Sequence, residues 1–142
     1  EVGAARVALV QTARSVVKLD ERRAAKRLIR LNKIAAEASR QCGRADVMSV
    51  TAPTSLSTLI ASLSEIPTKL VLHPVGGQRI RNAEMDGSCA ILIGPEGGFS
   101  SSELDLLAEK GWVRVTLTGP LLRTETAAIV GSALALNHMG YM

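Results

Sequence analysis

The chain has 142 residues, a formal net charge of +4, 46% apolar and 21% charged residues, which suits one globular domain with one core and excludes a disordered chain. No apolar run approaches a membrane span and no basic-then-apolar leader opens the chain. Cys42 and Cys89 are too few and too far apart for a metal cluster or a disulfide framework, so no metal and no membrane are expected, and a reducing, cytoplasmic setting is.

Residues 5–10 read as a buried strand, with Gly3 as a helix C-cap just before it. Glu1-Val2-Gly3 is therefore expected to be the tail of a helix whose body lies outside the chain. Asp20 is placed to cap a long amphipathic helix that ends near Gly43. Arg22, Arg23, Lys26, Arg27, Arg30 and Lys33 crowd it, with Arg14, Lys18, Arg40 and Arg44 around them. At helical spacing Arg23, Arg27 and Arg30 share one face, whereas Leu28, Leu31, Ile34, Ala35 and Ala38 fall mainly on the neighbouring one. Such a basic face is either solvated or turned toward phosphates. The aromatic residues are only Phe99, Trp112 and Tyr141. A base-stacking platform for single-stranded nucleic acid is thereby excluded, and RNA would be held by charge and shape.

Residues 47–51 read as a short strand, and Ser55 opens a short helix reaching about Ser64. Residues 69–72 form a strand ending in His73-Pro74. A polar stretch over 75–87, with Gly76-Gly77 and Asp86-Gly87, reads as a loop holding at most a helical turn. Residues 88–93 form the next strand. Ser100 and Glu103 then make the capping box of a helix that stops at Gly111. Residues 112–117 are another strand, and a last helix starts at Thr124 or Glu125 and runs through Met139. Strands alternating with helices predict an α/β domain with a mostly parallel sheet.

Two loops stand out. Gly94-Pro95-Glu96-Gly97-Gly98-Phe99-Ser100 and Leu121-Leu122-Arg123-Thr124-Glu125-Thr126-Ala127-Ala128 each follow a buried strand and lead into a helix. Ligands of open α/β sheets sit at the carboxyl ends of strands, so one shared site is expected. The glycine loop is either a plain tight turn or a backbone cradle. It lacks a phosphate-binding lysine and the spaced-glycine dinucleotide pattern, which disfavours a nucleoside triphosphate and leaves an adenosine-like group. An N-cap and a helix-dipole acid would account for Thr124 and Glu125. They would not account for Arg123, which could clamp a carboxylate or phosphate or orient a base. His73 and His138 read as hydrogen-bonded structural residues.

The series Ala13-Arg14-Ser15-Val16-Val17-Lys18, residues 34–38 with Gln41-Cys42-Gly43-Arg44, residues 93–100 and residues 121–128 resembles the ribosomal RNA small-subunit methyltransferase E family of the SPOUT superfamily. The resemblance implies transfer of a methyl group from S-adenosyl-L-methionine to N3 of a uridine in small-subunit (16S) ribosomal RNA. It implies helices on both faces of the sheet and a deep trefoil knot in the C-terminal half, a rarity among folds. It also implies a homodimer that acts on ribosomal RNA or the assembled small subunit. Carried over by position, the cofactor residues are Leu72, His73, Pro74, Ile93, Gly94, Pro95, Glu96, Gly97, Gly98, Leu117, Thr118, Gly119, Leu122, Thr126 and Ala127. Arg123 would orient the uracil, Glu125 would take its proton, and Arg14, Arg23, Arg27, Arg30 and Arg44 would hold RNA. The family's N-terminal β-barrel and the first strand and helix of its methyltransferase domain are expected to be missing from residues 1–142. Met48 stands where a proline is usual, and Thr118 where glycine is usual, with Gly119 one place later. An alternative reading is a non-catalytic knotted RNA-binding or ribosome-assembly module.

Overall fold

A computed structural model describes residues 1–15, 21–117 and 119–142. The expected cap Asp20 and the expected cofactor residue Thr118 lie outside them. Among the described residues, six strands and four helices follow in chain order: β1 (Arg6–Gln11), α1 (Glu21–Gln41), β2 (Ser49–Ser55), α2 (Leu56–Ser62), β3 (Thr68–Leu72), β4 (Gln78–Arg79), β5 (Cys89–Ile93), α3 (Ser101–Glu109), β6 (Val113–Thr116) and α4 (Thr124–His138), with a 3-10 turn at Ile80–Asn82 after β4. Every described pairing is parallel. The strands fall into two sheets rather than the single one expected: β1 beside β2, and a four-stranded sheet in the order β4-β6-β3-β5.

Helix α1 ends where glycine allows it. Gly43 has φ +73, its N–H donates to Arg40 O at 3.3 Å, and the Arg44 N–H donates to Ser39 O at 3.0 Å. These are the two bonds of a Schellman motif, and they satisfy the last carbonyls of the helix. The helix lies on β2 through Ala35 and the buried Ser39, and Leu28 and Leu31 are half-buried. Asn32 locks the two together. Its amide donates to Val50 O at 3.2 Å and accepts from Val50 N at 3.2 Å, as a neighbouring strand would. Ile34, expected on the buried face, is 48% exposed.

Alternation along β3 and β5 builds the core on both faces of the larger sheet. Val71 and Leu92 join Leu56, Leu59, Ile60, Phe99, Leu107 and Trp112, so α2 and α3 cover one face. Leu70, Leu72 and Val115 join Ile80 and Ala83, with Ala127 of α4 packed on the other face. Ala8 and Val10 of β1 reach the first cluster, which ties the small sheet to the large one. Burial of each such aliphatic side chain stabilises the fold by about 1.5–3 kcal/mol.

Candidate functional site

Register brings the strand ends together. β3 is central: Leu72 pairs with Ile93 on one side and with Val115 on the other. Three parallel strands thus finish level, and the loops after them leave from one edge. The His73 N–H extends the ladder by donating to Val115 O at 2.9 Å. The Thr124 hydroxyl crosses from the third loop and donates to Gly94 O at 3.0 Å. Helix α4 seats against the same edge at Gly131, where an added Cβ would lie 2.6 Å from Leu72 Cδ1.

The glycine loop is a tight turn over an aromatic ring. Gly98 N–H donates to Pro95 O at 2.8 Å, with Gly98 at φ +67 and open space around it. Phe99 is buried beneath, so close that a Cβ on Gly94 would meet its ring at 3.0 Å. Glu96 and Gly97 are left exposed on the rim. In the first loop the His73 Nδ1–H donates to Val75 O at 2.6 Å, which fits the expected structural role. Pro74 O accepts from the Thr116 hydroxyl at 3.2 Å.

In the third loop Gly119 has φ +130, a conformation open to glycine alone, with nothing near it. Arg123 occupies the N-cap position of α4 without a side-chain capping bond and is exposed, as are Glu125 and Thr126. Thr124 is therefore not the N-cap: it is the first helical residue, and its hydroxyl is used on Gly94 instead. Leu122 is half-buried, and Leu117 and Ala127 pack on the core.

A fourth segment joins these loops. Ala13 N–H donates to Glu103 Oε1 at 2.8 Å, and Arg14 Nη1 donates to Gly97 O at 3.0 Å. Glu103 also completes the capping box, its Oε2 accepting from Ser100 N–H at 2.8 Å. Burial alone would raise the Glu103 carboxyl. The Ser100 and Ala13 N–H groups, the Ser100 hydroxyl and the Arg14 charge outweigh that, and together hold it below its usual range. The capping box was legible in the spacing of Ser100 and Glu103; the reach to Ala13 was not, because it spans ninety residues of chain.

Arg23, Arg27 and Arg30 lie exposed on α1, with Lys26 and Lys33 beside them. Arg44, expected to face RNA, also bonds within its own chain. Its Nε and Nη2 donate to Asp46 at 3.3 and 2.6 Å and its Nη1 to Ala4 O at 3.0 Å. Two surface hollows lie away from the converging loops. One of about 290 Å³ is lined by Ser57, Ser64, Lys69 and Lys110 at the amino end of β3. The other, about 410 Å³, lies by Gln78, Asn82, Glu84 and Val113. Among the described residues no three His, Cys, Asp or Glu side chains cluster as metal ligands.

A family model described as an RNA methyltransferase domain matches residues 1–136. Ribosomal RNA small subunit methyltransferase E 2 of Borreliella burgdorferi is 34% identical over 135 residues, which cover 94% of this chain and 55% of that protein. The Bacillus subtilis ribosomal RNA small subunit methyltransferase E is 33% identical over 138 residues, covering 91% and 54%. The chain thus spans about half the length of these curated relatives. Among solved structures, a Neisseria gonorrhoeae ribosomal RNA small subunit methyltransferase E bound to S-adenosyl methionine superposes with a TM-score of 0.84 at 31% identity, covering 96% of this chain and 57% of that one. A Legionella pneumophila protein described as a methyltransferase, in complex with the cofactor SAM, superposes with a TM-score of 0.89 at 32% identity, covering 96% and 56%.

Proposed function

The chain belongs to the RNA methyltransferase domain family, and on that footing we propose that it uses S-adenosylmethionine to methylate N3 of a uridine in small-subunit ribosomal RNA. One observation carries the reading: β3, β5 and β6 end in register, and their three loops leave from one edge. The residues there suit the cofactor. Gly98 and Gly119 take positive φ in open space, so the main chain can approach a ligand closely and offer N–H and C=O groups to an adenine and ribose. Residues 72–74, 93–98 and 117–127 would hold it. When bound, S-adenosylmethionine supplies an electrophilic methyl group.

The chain's own side chains then have two tasks. Uridine N3 is a poor nucleophile until it loses its proton, and it must be aligned with the methyl group. Arg123, exposed and with no capping bond, orients the uracil and offsets the negative charge that develops on it. Glu125, exposed in the first turn of α4, takes the N3 proton. The bond from Thr124 to Gly94 holds this turn against the glycine loop. Arg14, Arg44 and the exposed face of α1 hold RNA phosphates.

The reading includes the deep C-terminal knot, a cytoplasmic setting and a homodimer. Exposed apolar side chains at Ile129 and Leu134 on α4, and at Leu121 and Tyr141 on its flanks, support a subunit contact there. The test is incubation of the protein with labelled S-adenosylmethionine and small-subunit ribosomal RNA, followed by nucleoside mass spectrometry. N3-methyluridine is expected. A methyl group on another base position would overturn the N3 assignment, and cofactor binding without any methylation would favour a non-catalytic RNA-binding module.

A further inference from the structure

Two bonds fasten the stretch before α1 to the cofactor-side loops, and they share neighbours. Arg14 donates one Nη1 hydrogen to Gly97 O. Its side chain lies along the glycine, so that a Cβ on Gly97 would come within 3.2 Å of Arg14 Cβ. The rest of its guanidinium is exposed and makes no further hydrogen bond among the described residues, although its charge acts on the Glu103 carboxylate. The adjacent peptide is fixed by Ala13 N–H on Glu103 Oε1. Both Glu103 oxygens face N–H donors, Ala13 on one side and Ser100 on the other. A glutamine would turn its own NH₂ toward one of them, so the site needs a carboxylate.

We propose that Arg14 is a positioning residue, held in place by Glu103, that couples RNA engagement to cofactor binding at the glycine loop. This rests on the methyltransferase reading above. The free edge of the guanidinium is a fork suited to a backbone phosphate. A phosphate seated there immobilises Arg14 while its Nη1 remains on Gly97 O. The glycine loop, whose turn is otherwise closed by the Gly98 to Pro95 bond, is then already ordered when the cofactor arrives, so less conformational entropy is lost on binding. By linkage the effect is reciprocal. The affinity of each ligand rises when the other is present.

The readout is the ratio of S-adenosylmethionine dissociation constants without and with saturating small-subunit ribosomal RNA, measured by calorimetry on the whole protein. The ratio is expected to be about fivefold or more. It should fall to near one in Arg14→Ala and in Glu103→Gln. It should persist in Ser100→Ala, which loses the cap hydroxyl but keeps both bonds to residues 13 and 14. Arg14 is at the surface, so its variant reads the coupling even if Glu103→Gln fails to fold. An unchanged ratio in Arg14→Ala, a ratio of one in the unmodified protein with both ligands bound, or an equal loss in Ser100→Ala would each overturn the coupling while leaving the methyltransferase reading intact. Failure of the unmodified protein to bind S-adenosylmethionine at all would overturn that reading and the coupling with it.

Discussion

Glu125 and Glu103 are both carboxylates in the first turn of a helix, and the structure gives them opposite surroundings. Glu125 is exposed with its neighbour Arg123 uncapped, free to meet a substrate. Glu125→Gln should therefore lower methyl transfer by about 10²–10⁴-fold while leaving S-adenosylmethionine affinity within about twofold. Turnover and calorimetry on the same preparation check this, and near-full turnover would remove Glu125 from proton transfer. Glu103 is committed to Ser100, Ala13 and Arg14, with its carboxyl held below the ordinary value of 4.5. A group whose folded value is depressed contributes stability above its unfolded value and loses it as pH falls through the folded one. The stability gap between the unmodified protein and Glu103→Gln, read from urea midpoints, should be full near neutral pH and close as the solution is acidified below that ordinary value. A gap independent of pH would contradict the assignment.

Among the elements, the stretch from β3 to α3 shows what a sequence reveals and what it hides. The cap of α3, the glycine loop and the strands flanking them were legible, because local spacing and turn chemistry fix them. Strand β4 was not: Gln78-Arg79 lies in a polar stretch read as loop, and only pairing with Val115 and Thr116 makes it a strand. The clue was Gly76-Gly77. A Cβ at Gly77 would sit 2.7 Å from Arg114 O and 2.8 Å from its carbonyl carbon, so only glycine lets this crossing lie on β6. Gly77→Ala should destabilise the fold by roughly 1–3 kcal/mol, because backbone cannot yield as a side chain can. Urea denaturation measures it, and a change within error would mean the crossing relaxes freely. Helix α1 was legible as an amphipathic element, whereas the clasp of Asn32 on Val50 depends on a partner eighteen residues away and no local pattern signals it. Likewise Arg44 reads in sequence as one more surface cation, and only folding brings Ala4 O within its reach.

For the molecule as a whole, two exposed basic features matter: the cations of α1, and Arg14 on the glycine loop. If α1 meets phosphates, Arg27→Gln with Arg30→Gln should weaken RNA binding and lower the slope of log K against log salt by about one for each phosphate no longer neutralised. An unchanged slope would return that face to plain solvation. The α/β class and the parallel order followed from alternation of strands and helices, but the split into two sheets did not, since no sequence pattern says which strands fail to pair. Everything functional depends on one edge of the larger sheet. A crystal structure of the protein with S-adenosylmethionine tests this most directly. The adenosyl group is expected against residues 72–74, 93–98 and 117–127, with Arg123 and Glu125 beside the methyl group. The cofactor in the hollow by Lys69 and Lys110, at the opposite edge, would contradict it.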